Sequence, residues 1–214
     1  MTNDLRHQTK YFTLILIAVI LAIIMNALPW LTNPGAGLCF GAGDLAEWAS
    51  LHPAVRAASP PLLTSFLLRL PLVCLALITG FSAPPPILKS RAWWIAAMVS
   101  GVILVLLFPP LEYFTIAQND KNYQQQIMLV GTALVGCGLG LSRILASWRG
   151  RAVILWAITG AGSGLVGLQK SYDLMRNFDL PVQIGIGGIG LPGAFILIAV
   201  ISWLYNTKRG DAPV

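Results

Sequence analysis

Two groups of residues in this chain have the types and spacing that chemistry could use. The first is Asp44, Glu47 and His52, all close in sequence. Asp44 and Glu47 are three apart, so a helix puts them on one face. An imidazole beside two carboxylates could exchange protons with a substrate. The same residues also have a purely local use. Asp44 is a good helix N-cap, Glu47 follows at the capping-box spacing, and His52-Pro53 ends a helix. This pattern predicts a short helix from Leu45 to Leu51, with Leu45, Trp48 and Leu51 as its apolar side.

The second group centres on Arg69, in the apolar run Leu67-Leu68-Arg69-Leu70-Pro71. A charge at the centre of a membrane helix costs roughly 2.5–3.5 kcal/mol. Such an arginine either faces the bundle interior, to bind an anion or a charged partner, or snorkels outward along its own stem. Glu112, just after Pro109-Pro110, is the expected partner, because two adjacent antiparallel segments bring it to the depth of Arg69. The expectation is a structural or binding ion pair, Arg69–Glu112.

Other chemistry finds no support. Cys39, Cys74 and Cys137 fit no zinc or redox spacing, and only His7 and His52 could supply imidazoles. No metal site, cofactor or structural disulfide is expected. There is no Gly-x-Ser-x-Gly and no His-Glu-x-x-His. The run from Gly185 to Gly190 lacks a preceding strand and a following Lys-Ser/Thr, so it is no phosphate loop. The apolar segments hold no paired carboxylates of the kind a proton relay uses.

The elements that must position these residues follow from composition. Of 214 residues, 56% are hydrophobic and 10% charged, against roughly 25% charged in a soluble domain. That surface suits lipid. The fold class expected is all-α, a polytopic transmembrane bundle forming one membrane domain over residues 1–214. A span needs about 20 apolar residues. Six are read: 11–31, 61–83, 93–111, 127–141, 152–168 and 182–205. With the N-terminus in the cytoplasm, nine Lys/Arg fall inside and four outside, so both ends are expected inside. The net charge of +6 is a topology signal of this kind and does not point to nucleic acid. Tyr11, Trp30, Trp93, Trp94, Trp148, Trp203 and Tyr205 fall at span ends, where amphipathic rings favour the interface. The first span is longer than a signal-peptide core, and its cleavage is not expected.

Inner links are short: Pro84, Pro85 and Pro86 stiffen one, and residues 142–151 form a basic turn. Outer connections are longer. The first, 32–60, opens on the turn residues Asn33-Pro34-Gly35 and carries the short interfacial helix. The second, 112–126, is polar. The third, 169–181, suits an interfacial helical turn that includes Phe178, Asp179 and Leu180. Glycines crowd the last three spans, with small-x-x-x-small faces at Gly136/Gly140 and Gly160/Gly164. These suit close helix packing. A broken helix lining a path would instead use the sixth span, near Pro192. An inverted repeat of the two halves is suggested only by Asp44-Leu45 with Pro53 and Asp173-Leu174 with Pro181.

The motifs of cation pumps, rhomboid proteases, oxidase subunits and binding-protein-dependent permeases are not visible. Three function classes follow. The first is a non-catalytic accessory membrane subunit that binds a partner protein, a second copy of itself or lipid. The second is a transporter or channel component with spans four to six lining the path. The third is a membrane enzyme acting on lipid at the outer face through Asp44, Glu47, His52 or Arg69. The expected location is a cell membrane, with the composition of a bacterial inner-membrane protein.

Overall fold

The computed structural model describes residues 2–84, 91–142, 144, 148–177 and 181–210. Expectations that concern Pro85, Pro86, Lys89, Arg143, Phe178, Asp179, Leu180 and Asp211 lie outside the described residues. So do those on the side chains of Asp4, Arg6, Lys208 and Arg209.

Six long helices make the bundle: α1 (Thr2–Ala27), α4 (Leu63–Ser82), α5 (Arg91–Leu107), α6 (Lys121–Leu141), α7 (Arg149–Arg176) and α8 (Ile186–Gly210). Two shorter ones, α2 (Ala42–Leu51) and α3 (Pro53–Ala57), join α1 to α4. Among the described residues four helices, α1, α4, α7 and α8, are long and apolar enough to cross a membrane. The apolar α5 is shorter, with 17 residues. α6 opens on a polar turn, Lys121 to Gln126, which dilutes its apolar run.

Several boundaries differ from the sequence reading. The first helix stops at Ala27, before Leu31, because Pro29 cannot donate to the helix ladder and restricts the residue before it. The fifth runs on past Leu168 to Arg176 and absorbs much of the third outer loop. The last begins at Ile186 and continues through Pro192 without a break. Between these helices lies a small antiparallel sheet that the sequence reading did not anticipate. β1 (Leu31–Asn33) pairs with β2 (Leu38–Phe40) in the register Leu31↔Phe40 and Asn33↔Leu38. It also pairs with β3 (Gln183–Ile184) through Leu31↔Ile184. The hairpin closes as its turn residues predict: the Asn33 side chain accepts from the Ala36 amide at 3.1 Å, and Gly37 takes φ +65°.

Successive long helices run in opposite directions. At one end Phe12, Ala83 and Ala96 pack together with Ala92 and Leu141. Tyr11 stacks on Tyr205 with ring centroids 4.1 Å apart, and its hydroxyl is 3.2 Å from Ser202 Oγ. Arg149 ties this end shut. Its Nη1 donates to the Ala83 carbonyl at 2.8 Å, and its Nη2 donates to the carbonyls of Gly140 and Ser142. One guanidinium thus answers the unpaired carbonyls at the ends of two helices, where a cation is also favoured by the helix dipole. The other end is capped by α2, α3 and the sheet.

α4 is the central helix, buried along most of its length against α5, α6 and α7. The glycines of its neighbours explain how close they come. A Cβ on Gly140 would sit 2.8 Å from the backbone of Gly80 and Phe81, so α6 and α4 cross backbone to backbone. A Cβ on Gly160 would collide with the Phe195 ring, which seats α8 on α7. Trp30 is fully buried, with its indole N–H on the Met25 carbonyl at 3.1 Å, and therefore does not sit at a lipid interface as its position at a span end suggests.

Candidate functional site

α2 begins three residues before its expected start, at Ala42. Gly41 is its N-cap, and Asp44, in the first turn, accepts from the Gly41 amide at 3.1 Å. Asp44 thus supplies the returning half of a capping box and is not the cap itself. The rotation matters for Glu47. Leu45, Ala46, Ala49 and Ser50 turn inward, while Leu51 is 70% exposed. The helix therefore packs into the bundle end and does not simply rest on its surface. Ser65 on α4 fixes the contact, donating to the Ala46 carbonyl at 2.9 Å.

This seating carries Glu47 over Arg69. Arg69 is on the second turn of α4, with its side chain 5% exposed. Its Nη2 donates to Glu47 Oε1 at 2.5 Å, and its Nη1 donates to Asn122 Oδ1 at 2.6 Å. Asn122 Nδ2 closes the triangle, donating to Glu47 Oε2 at 3.0 Å. Each member satisfies the other two, and the charges cancel. Burying an arginine this way is tolerable only because its counter-charge and its hydrogen bonds come together. Glu47 remains 45% exposed on its side chain, so one edge of the cluster reaches the surface.

The expected partner, Glu112, is elsewhere. It lies exposed in a 3-10 turn, Leu111–Phe114, where its carbonyl accepts from the amides of Thr115, Ile116 and Ala117. Arg69 is paired with Glu47 in its place. Arg69 does not snorkel; it points into the packed end.

A second pair flanks the first. Asp120 N-caps α6, accepting from the Asn122 amide at 2.8 Å, and its other oxygen takes Arg56 Nη2 at 3.2 Å. Arg56 Nε donates to the Ser50 carbonyl at 2.6 Å. The two pairs thus meet at the first turn of α6 and bind α2, α3, α4 and α6 into one unit.

The acid/base trio is not brought together. Asp44 serves the α2 terminus and Glu47 serves Arg69. His52 caps α3, with its Nδ1 accepting from the Ala54 amide at 3.1 Å and its ring 6.2 Å from that of Trp48. The arrangement can tether a cap to a bundle. Asn122, Asp120, Arg56 and Arg149 were not singled out from sequence. Asp120 with Asn122 carried a signal, an N-cap residue at the head of an apolar helix. Compared with protein-family models, curated proteins and solved structures, the chain matches none, so the site is read from its own geometry.

Proposed function

We propose that this protein is a non-catalytic integral membrane subunit, a closely packed bundle whose capped end recognises a partner or lipid. The observation that carries the reading is the closed triangle of Glu47, Arg69 and Asn122. The buried cation is spent on holding α2 and α6 to α4, and is not turned toward an open path. The close contacts at Gly140 and Gly160 support the same reading, because they use the glycines for packing.

In this proposal all six long helices cross the membrane, with both termini in the cytoplasm and the capped end outside. Their alternating direction supports it, as does the Lys/Arg bias of nine against four. α5 spans about 25 Å at 1.5 Å per residue, short but within the range for a crossing helix.

Cysteine accessibility tests the packed-bundle part. Thr132→Cys, Thr159→Cys and Ser163→Cys are made in a background where Cys39, Cys74 and Cys137 are Ala. They are treated in intact cells with a membrane-impermeant maleimide. The reading expects Ser163→Cys, buried between helices, to stay unlabelled until the protein is denatured. Labelling along all three positions would support a water-filled path through α6 to α8 and overturn the proposal.

A further inference from the structure

We infer that the rim between α3 and α6 binds one anionic phospholipid, with its phosphate at Arg56 and Lys121 and an acyl chain along α6. This rests on the membrane-embedded reading above and names the ligand class and its site.

Two hollows meet at Lys121. One, of about 530 Å³, is lined by Arg56, Leu62, Ile116, Asn119, Asp120 and Lys121. The other, of about 350 Å³, also includes Lys121 and continues over Gln124, Phe66, Met128, Leu129 and Thr132. The wall between them is pinned by Gln125, whose Nε2 donates to the Leu62 carbonyl at 3.5 Å. From Lys121 to Thr132 the second hollow follows α6 for about 16 Å.

The charges in the first hollow are unbalanced. Arg56 uses Nε on Ser50 and Nη2 on Asp120, which leaves Nη1 without a partner among the described residues. Lys121 is exposed and has no hydrogen-bond or ion-pair partner among them. Two cations against one carboxylate leave a single positive charge, which one phosphodiester neutralises with charge-assisted hydrogen bonds. The second hollow sets the choice of ligand. It passes from polar Gln124 to apolar Met128, Leu129 and Phe66, the same order of polarity as glycerol followed by an acyl chain. A soluble phosphate would have no use for that groove. The outward side of α6 is also where lipid must lie in a bilayer, since Met128 is 71% exposed.

The test is native mass spectrometry of the purified protein from detergent, with added phosphatidylglycerol or phosphatidylcholine. Wild type is expected to retain phosphatidylglycerol in preference. Lys121→Gln should weaken that retention about fivefold, the effect of one basic residue near an anionic headgroup. Phosphatidylcholine, whose choline already cancels the phosphate charge, should lose less than about twofold. Lys121 has no partner among the described residues, so this variant keeps the fold. Met128→Asn should also weaken lipid retention, by disturbing the groove. Excess glycerol phosphate should fail to displace the lipid. Equal retention of the two lipids, an unaltered Lys121→Gln, or full displacement by glycerol phosphate overturns the inference. Loss of lipid preference with Ser163→Cys unlabelled fails this inference alone. Labelling at Thr132→Cys, Thr159→Cys and Ser163→Cys with lipid preference intact fails the packed-bundle reading alone.

Discussion

Arg149 donates to the Gly140 carbonyl at the same crossing where Gly140 meets the backbone of Gly80. One end of the α4–α6 pair is therefore held by a cation on helix carbonyls, and the other by the Arg69 triangle. α4 is fastened at both ends, about 21 Å apart from Arg69 to Ala83 at 1.5 Å per residue.

Replacing Arg149 with Gln should loosen the first of these fastenings. It leaves carbonyls of Ala83, Gly140 and Ser142 short of a donor. A loss of about 1.5–3 kcal/mol is expected, the range for hydrogen bonds to a charged group. Thermal unfolding in detergent reads it, and an unchanged midpoint would remove Arg149 from the account.

The crossing itself predicts a contrast between two glycines of one helix. Gly140→Ala drives a methyl into backbone that cannot yield, and should cost about 1–3 kcal/mol. Gly138 has open space around it, and Gly138→Ala should be neutral or stabilising by up to about 1 kcal/mol. Comparable losses in unfolding midpoint for both variants would contradict the close crossing.

Glu112 and Asn122 separate the two possible settings of Arg69. Glu112→Ala should shift stability by less than about 0.5 kcal/mol, as expected for an exposed surface change. Asn122→Leu breaks two legs of the triangle and should cost about 2 kcal/mol. The reverse order, measured by chemical unfolding, would restore the Arg69–Glu112 pairing.

Much of the helical scaffold was legible because its signal is long. α1, α7 and α8 each contain an uncharged run, 11–27, 152–169 and 186–207, whose apolar side chains need no tertiary context to be read. Helix ends were less legible. Gly41 gives no side-chain cue, so Asp44 read as the cap when it is a first-turn acceptor. Beyond the turn at Asn33-Pro34-Gly35, the sheet left no pattern. Its strands have two or three residues, and Leu31 meets Ile184 from the far end of the chain. Arg69 stood out because a charge in an apolar run is costly. Its partner did not, since the depth argument considered adjacent spans, and Glu47 arrives on a helix that folds back over the bundle end. Arg149 read as a topology signal, and its second use on three carbonyls depends on where α4 and α6 happen to finish.

The central claim is that the charge of Arg69 is committed to Glu47. A double-mutant cycle with Arg69→Leu and Glu47→Leu, read as unfolding free energy in detergent, tests it most directly. Glu47→Leu strands a buried cation and should cost about 3 kcal/mol or more, while Arg69→Leu leaves a carboxylate that can rehydrate and should cost less. The double variant should recover about 2 kcal/mol of the summed losses, because neither charge is left alone. Additive losses within about 0.5 kcal/mol would mean that the two residues do not act on each other, and the account of the capped end would be wrong.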